Sequence, residues 1–132
     1  MAARTVPAPL PLRDVAGPAL RAFFRIVGAW GLKASEARRL LGDPPESTFY
    51  KWKKQQDGAP GRDVIERISY LLGIFKALEL LFPDPTRADA WIRRPNDAAP
   101  FGGGSALDRM LSGNVADLYV VRSSLDAQRG WQ

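Results

Sequence analysis

Cysteine and histidine are both absent from this chain of 132 residues. These two side chains form disulfides, supply the usual ligands of zinc and act in the common hydrolytic triads, so all three kinds of chemistry are excluded. The acidic side chains are scattered over expected helix caps and solvated faces, and none of them forms a convincing catalytic pair. The sequence therefore predicts a binding protein that is not an enzyme and that uses neither a metal nor a cofactor.

Long apolar runs are missing as well. No stretch approaches the roughly 18 to 20 consecutive apolar residues that span a bilayer. The first residues carry prolines at positions 7, 9 and 11 and lack the continuous apolar segment of a secretion signal. We predict that residues 1–14 form a flexible Pro-rich arm. We also predict that the protein is cytoplasmic, because nothing in its composition exploits an oxidising compartment.

Patterns typical of β-strands are scarce, whereas apolar residues recur at helical spacing along most of the chain. They predict helices over 15–32, from Ser35 to Gly42, over 46–56 and over 63–82, and three shorter helices near 87–93, 106–112 and 115–127. Gly42 suits a left-handed C-terminal cap. The predicted N-terminal capping residues are Ser35, Thr86, Ser105 and Asn114. The predicted fold is all-α, a small helical bundle.

The segment from Asp63 to Phe82 is the longest amphipathic one. Its main apolar stripe consists of Val64, Ile68, Leu71, Leu72, Phe75, Leu78 and Phe82. Apolar residues at positions 65, 74, 80 and 81 widen this face beyond what a single contact needs. Two interpretations follow: this helix is the central hub of the fold, or it also forms part of a dimer interface.

Positive charge is concentrated in one segment. Residues 15–56 carry eight basic side chains against three acidic ones, a net of +5, which equals the net charge of the whole chain. Within this segment, residues 35–55 resemble a helix-turn-helix, in which the first helix braces the second through apolar contacts. Those contacts are predicted between Leu40 and Leu41 on one helix and Phe49 and Trp52 on the other.

The second helix of this motif would then face DNA. The candidate DNA-binding residues are Arg38, Arg39, Ser47, Thr48, Tyr50, Lys51, Lys53 and Lys54. The serine, the threonine and the first lysine lie nearest the expected groove, and the others lie where they could reach phosphates. A solvated basic face without a partner is the alternative.

The stretch "PFGGGS" at 100–105 suggests three interpretations: a linker, a phosphate-binding loop or a shaped surface. It has neither the spacing of GxGxxG nor the Lys-Ser/Thr of a P-loop, and no predicted strand precedes it. Glycine here more simply permits positive φ and close backbone approach. Phe101 in this loop looks exposed, although both it and Trp91 could equally be structural.

The segment "AWIRRPNDAAPFGGGSALDRMLSGNVADLYVVRSSLDAQRGW" resembles the C-terminal toxin-binding region of Xre/MbcA/ParS-like antitoxins. That family has a Trp-Leu-x-x-Pro-Asn segment, then Phe-Gly-Gly, a Pro-Leu-Asp helix, a glycine and a last helix with a short tail. The matching residues are Trp91, Ile92, Pro95, Asn96, Phe101, Gly102, Gly103, Leu107, Asp108, Leu111, Gly113, Val115 and Tyr119. Ala106 departs from the pattern, since the family usually has proline there. Together with the upstream helices, the resemblance covers most of residues 20–131.

This resemblance implies the antitoxin of a type II toxin–antitoxin pair. Its partner would be a RES-domain toxin that consumes NAD⁺ or transfers ADP-ribose from it. The resemblance further implies an Xre-like helix-turn-helix domain at 15–82 that binds promoter DNA for autoregulation. A toxin-binding domain at 83–132 would dock on the toxin, its tail obstructing the NAD⁺ site. Homodimers and hetero-oligomers with the toxin are expected.

The candidate toxin-binding residues come from both the motif and the tail. They are Trp91, Pro95, Asn96, Phe101, Gly102, Gly103, Leu107, Tyr119, Arg122, Arg129 and Trp131. Arg93 and Arg94 are predicted to be solvated or to lie at the rim. The main alternative function is a stand-alone helix-turn-helix regulator whose C-terminal half only dimerises. A helical scaffold that binds neither DNA nor toxin is a third.

Overall fold

The computed structural model describes residues 12–130, which form seven α-helices and one 3-10 turn. The helices are α1 (Leu12–Trp30), α2 (Ala34–Leu40), α3 (Glu46–Gln55), α4 (Arg62–Leu81), α5 (Pro85–Ala90), α6 (Ala106–Met110) and α7 (Val115–Gln128), and the 3-10 turn at Trp91–Arg93 follows α5. Extended pairing within residues 12–130 is limited to one isolated bridge between Pro95 and Ser105. The all-α prediction is confirmed.

Helix α1 begins earlier than its pattern predicted. It starts at Leu12, so residues 12–14, which were assigned to the flexible arm, are helical; residues 1–11 of that arm lie outside the described part. Leu20, Phe23 and Trp30 are buried as the spacing predicted. Ile26 joins them, because it lies one turn beyond Phe23 on the same face.

Helix α2 is capped differently from the prediction. The backbone N–H of Lys33 donates to the Glu36 carboxylate at 2.8 Å, so the helix begins at Ala34 and Ser35 lies inside it. The predicted cap was wrong because an acidic side chain reaches back from the first turn to the preceding backbone. At the other end Gly42 has φ +88, the left-handed conformation that was predicted.

Helix α4 is the hub of the bundle. It packs against α1, α5 and α7. Its fully covered residues are Ile68, Leu71, Ile74, Ala77 and Leu78. Ile74, predicted at the margin of the apolar face, is in the core, while Leu72 and Phe75 are only partly buried. The face is rotated relative to the predicted stripe because α4 is covered from two sides, by α1 and by α7.

Of the three caps predicted in the C-terminal half, the residue for α5 was wrong, whereas Ser105 and Asn114 occupy the predicted N-cap positions. Helix α5 is capped by Asp84, whose carboxylate accepts from the backbone N–H of Thr86 at 3.0 Å, with Pro85 in the first turn. The predicted cap of α6 is confirmed, since the Ser105 hydroxyl accepts from the N–H of Asp108 at 3.0 Å. The Asn114 side chain makes no capping hydrogen bond to α7.

Three arginines join the two halves of the chain by donating to carbonyl groups where helices end. Arg93 donates to Trp30 at 3.3 Å and to Gly31 at 3.1 Å, just after α1. It was predicted to be solvated or at a rim, and its guanidinium is in fact bonded to the protein. Arg39 and Arg67 donate to the segment between α6 and α7. Such donors satisfy carbonyls that lack partners within the helix.

Candidate DNA-binding and partner-binding surfaces

The buried side of α3 holds it against the bundle. Phe49 is 1% exposed and packs against Phe24 of α1, with ring centroids 5.7 Å apart. Trp52, Leu40 and Leu41 are buried in the same core cluster. Phe49 and Trp52 are therefore buried as predicted, and α1 provides the observed aromatic contact of Phe49; their direct contact with Leu40 and Leu41 stays a prediction. Since Phe49 and Trp52 fill the core, neither ring is available to stack on bases.

The opposite side of α3 is polar and solvent-facing. Ser47, Lys51, Lys53 and Lys54 are exposed, and Tyr50 is 51% exposed. Thr48 is half-buried. The three lysines form no ion pair with any residue in the 12–130 range. This helix therefore presents an uncompensated positive face with hydroxyl groups in its first turn, which suits contacts with phosphates and base edges.

The two arginines predicted beside these lysines have intramolecular roles. Nε of Arg38 donates to the Pro44 carbonyl at 2.6 Å, and its guanidinium lies 3.8 Å from the Glu46 carboxylate. It closes the turn that leads into α3. Arg39 points away from α3 and donates to Leu111 and Ser112. The face of α3 itself, rather than the arginines of α2, is thus the candidate DNA surface.

The glycine-rich segment is a closed loop. The N–H of Asn96 donates to Gly104 at 3.0 Å, and the N–H of Gly103 donates back to Asn96 at 2.8 Å. Gly102 and Gly103 have φ +61 and +93, values that other residues rarely adopt. Within the loop, the Asn96 side chain accepts from the N–H of Ala98 at 3.0 Å. These bonds hold one defined shape, so the segment is not a loose linker.

Phe101 is buried, which contradicts its exposed appearance in the sequence. It is 8% exposed and meets Trp91 edge to face, with centroids 5.9 Å apart and an angle of 84° between the rings. Closing the loop turns the ring inward, where it gains apolar contacts. Leu107 of α6 is buried as well. Trp91, Phe101 and Leu107, three of the candidate toxin-binding residues, are therefore buried and support the surface from beneath.

The exposed candidates surround the loop and α7. Pro95, Gly102 and Gly103 are exposed. Tyr119 is 57% exposed, and an open groove runs beside it between α7 and the start of the loop. This groove is lined by Ala98, Ala99, Pro100, Tyr119, Val120, Ser123, Ser124, Ala127 and Gln128. Apart from Tyr119, these residues were not predicted, although position 123 follows from Tyr119 by helical spacing.

The basic candidates lie towards the end of α7. Arg122 lies across Gly73 of α4 and 3.8 Å from the Asp126 carboxylate. Arg129 is exposed and lies 3.5 Å from the same aspartate. Trp131, the other predicted tail anchor, lies outside the described residues. The structure thus brings Tyr119 and the loop together, with both arginines further along α7.

Asp117 fixes the turn between α6 and α7. Its carboxylate accepts from the Ser112 hydroxyl at 2.5 Å and from Nε of Arg109 at 2.9 Å. The hydrogen bond from Ser112, and then Arg109, hold the pKa of this carboxyl below its ordinary value of 3.8, against the effect of burial. Arg109 also donates to the Pro100 carbonyl at 2.7 Å. A single arginine thereby links the loop to α7.

Two other classes of site were sought within residues 12–130. No helix there is both long and apolar enough to cross a membrane. The same residues contain no group of three or more metal-ligating side chains placed to hold an ion.

Comparison with known proteins matches both halves of the chain. A model of the antitoxin Xre-like helix-turn-helix domain matches residues 3–73. A model of the antitoxin Xre/MbcA/ParS C-terminal toxin-binding domain matches residues 77–130. The protein y4oB of Sinorhizobium fredii (strain NBRC 101917 / NGR234), described only as uncharacterised, is 56% identical over 111 residues, 84% of each chain. A toxin and DNA are the partners that such domains imply. The chain belongs to the Xre-like antitoxin family and combines its helix-turn-helix domain with its C-terminal toxin-binding domain.

Proposed function

We propose that this protein is the antitoxin of a type II pair, that it inhibits a RES-domain toxin by covering the toxin's NAD⁺ site, and that it represses its own operon. The observation that carries the proposal is the closed loop at 95–105 beside the exposed face of α7. A surface whose backbone is already fixed loses little conformational entropy when a partner binds.

The contact surface for the toxin would combine an apolar groove with polar edges. Tyr119 provides a large, half-exposed ring, a residue type enriched at energetically important interface positions. Pro100 and Val120 supply apolar lining on either side of the groove. Trp91 and Phe101 act from beneath by holding the loop in shape.

Occlusion of the NAD⁺ site is assigned to the tail. Arg129 is exposed just after the last residue of α7, so it lies where the chain leaves the bundle. Its guanidinium can donate two parallel hydrogen bonds to a carboxylate or phosphate group. Trp131 would add an apolar anchor. The tail then competes for the groups that would otherwise bind the dinucleotide.

Repression of the operon is assigned to α3. The lysines at 51, 53 and 54 would neutralise phosphates, and Ser47 and Thr48 in the first turn would approach base edges. A homodimer would place two copies of α3 on one DNA duplex. Leu80 of α4 is 66% exposed and would contribute to such a contact.

The toxin assignment is tested by co-expressing this chain with the protein encoded by the neighbouring reading frame. Size-exclusion chromatography should yield one complex, and NAD⁺ should fall only when the neighbour is produced without this chain. A complex with no change in the NAD⁺ level would refute the assignment of the partner as a RES-domain toxin, but it would be consistent with an antitoxin function. Absence of any complex would refute inhibition by direct binding and favour a stand-alone DNA-binding regulator.

A further inference from the structure

Arg39 and Arg67 meet the turn between α6 and α7 from two different helices. Nε of Arg39, on α2, donates to the Leu111 carbonyl at 3.0 Å, and its NH2 group donates to Ser112 at 2.6 Å. The NH2 group of Arg67, on α4, donates to the Gly113 carbonyl at 3.0 Å. We call Arg39, Arg67 and these three carbonyl groups the arginine joint.

Both guanidinium groups are fixed in orientation. The remaining NH1 group of Arg39 is 2.5 Å from the Asp43 carboxylate, so all three of its nitrogens are engaged. Nε of Arg67 donates to Asp63 at 3.2 Å, and its side chain is only 11% exposed. A charged donor held by a carboxylate at one end and carbonyl groups at the other makes a directional link.

Two glycines allow the close approach that the joint requires. A Cβ atom added at Gly113 would lie 2.7 Å from the Arg39 guanidinium, and one added at Gly42 would lie 3.0 Å from Nε of Arg67. Both glycines also have positive φ, +93 and +88. Arg67 therefore fits between the end of α2 and the turn before α7.

The joint is continuous with both candidate binding surfaces. On one side, Asp117 ties the turn to Arg109, which donates to Pro100 at the edge of the groove beside Tyr119. On the other side, α2 carries Arg38, which closes the turn into α3. The steps are hydrogen bonds, apart from the one between Arg39 and Arg38, which are neighbours along α2.

We propose that the arginine joint couples the toxin-binding surface to the helix-turn-helix, with Arg39 and Arg67 as its positioning residues. This inference rests on the proposed function for the identity of the two ligands. A partner that reduces the remaining motion of the loop and α7 also reduces that of the α6–α7 turn and, through Arg39, that of α2 and the entry to α3. The coupling is reciprocal, so DNA bound at α3 changes the affinity for the partner by the same factor as the partner changes the affinity for DNA.

The joint itself is tested without either ligand, by hydrogen–deuterium exchange of the full chain. Asp117→Asn weakens the α6–α7 turn from the α7 side. We expect faster exchange at 105–117 and also at 34–55, across the joint. In an Arg39→Gln, Arg67→Gln background the same substitution should add nothing at 34–55. An effect of Asp117→Asn confined to 105–117 in the otherwise native chain would overturn the proposal.

The matched control is Arg93→Gln. It removes two arginine–carbonyl hydrogen bonds that also join the halves, but these end beside α1. Its one contact with α2 is an ion pair with Glu36 at 3.6 Å. In this background Asp117→Asn should still increase exchange at 34–55. If the double arginine variant is poorly folded, Arg39→Lys, which keeps a charged donor group, takes its place. In this background Asp117→Asn should have a smaller effect on exchange at 34–55 than in the native chain.

The functional consequence is measured as a ratio. The affinity for the DNA duplex upstream of the reading frame is determined twice, for the full chain by itself and for its complex with the neighbouring protein. The ratio of these two affinities is the quantity compared between variants. We expect the two affinities to differ by at least about 5-fold in the native chain and to converge in Arg39→Gln, while Arg93→Gln keeps the difference. An unchanged ratio in Arg39→Gln would overturn the coupling. If no partner binds but Asp117→Asn still speeds hydrogen–deuterium exchange at 34–55, the proposed function is refuted and the structural coupling through the arginine joint is kept.

Discussion

At the scale of single residues, glycines are paired with arginines. Gly42, Gly73 and Gly113 each lie against a guanidinium, from Arg67, Arg122 and Arg39 respectively. The sequence predicted the first of these glycines as a helix end, because glycine tolerates positive φ. It gave no sign that an arginine distant in the chain would lie over each of them, since that contact depends on how the helices pack.

Gly113→Ala should destabilise the protein by two independent effects. Left-handed backbone costs a residue with a Cβ about 1–2 kcal/mol, and moving the Arg39 guanidinium breaks one of its charged hydrogen bonds, which is worth about 1.5–3 kcal/mol. We expect the free energy of unfolding, measured by urea denaturation, to fall by about 2.5–5 kcal/mol in total. Gly31→Ala is the control: its φ is +61 and nothing lies within 4 Å of the added Cβ. Equal losses in the two variants would contradict the role of Arg39.

Asp117 predicts a dependence of stability on pH. Its folded-state pKa is lowered, chiefly by the Ser112 hydroxyl and also by Arg109. Its contribution to stability is therefore present above the ordinary pKa of 3.8 that the unfolded state has, and is lost as pH falls through the lower folded-state value. The free energy of unfolding, measured from neutral to acidic pH, should decline less steeply in Asp117→Asn than in the native protein. Asp57→Asn, at an exposed position, should leave the slope unchanged, and a similar change in both would refute the assignment.

At the scale of elements, periodicity predicted which segments are helical but not every buried face. The face of α3 was predicted, because a short helix covered on one side leaves a clear alternation of apolar and basic residues. The face of α4 was predicted less well, because a helix packed on two sides is apolar over most of its circumference. The caps of α2 and α5 were missed because several polar residues stand near each helix start, and only the backbone path selects one.

The exposed face of α3 leads to a prediction for DNA binding. Lys51→Ala and Lys54→Ala together should weaken binding to promoter DNA. The slope of log affinity against log salt should fall by about 0.9 for each phosphate that the variant no longer neutralises. Fluorescence anisotropy over a range of salt concentrations measures both effects. Lys76→Ala serves as the control, since it removes one exposed positive charge from a different helix, α4. Unchanged affinity and slope in the double variant would mean that α3 carries only a solvated basic face.

At the scale of the whole molecule, one helix serves both halves. Helix α4 packs on α1 and on α7, and the two family matches, at 3–73 and 77–130, meet within it. The division into domains at 15–82 and 83–132 remains a prediction. The arginine joint and Arg93 add polar links on either side of this shared core. A partner bound to the loop therefore contacts a helical bundle whose packing and hydrogen bonds extend to α3.

The tail predicts how inhibition depends on the end of the chain. Residues 129–132 can be removed without cutting α7, whose Leu125 is fully buried and must stay. Removing interface anchors such as Arg129 and Trp131 costs on the order of 2 kcal/mol or more, so inhibiting the neighbouring protein should require at least about 30-fold more antitoxin. Titration of NAD⁺ consumption measures this. A chain lacking residues 1–11 is the control for shortening alone, and full inhibition by the 1–128 chain would exclude occlusion by the tail.

The sequence by itself determined the fold class and the separation of apolar and basic residues on α3, and it offered the hub role of α4 and a shaped glycine loop as interpretations among others. These depend on helical spacing, local charge and backbone freedom, which are properties of neighbouring residues. Only the tertiary structure decided that Phe101 is buried under the loop, that Arg39 serves the α6–α7 turn, and that a groove opens beside Tyr119. Each of these depends on groups far apart in the chain, and their contacts exist only once α4 has brought the two halves together.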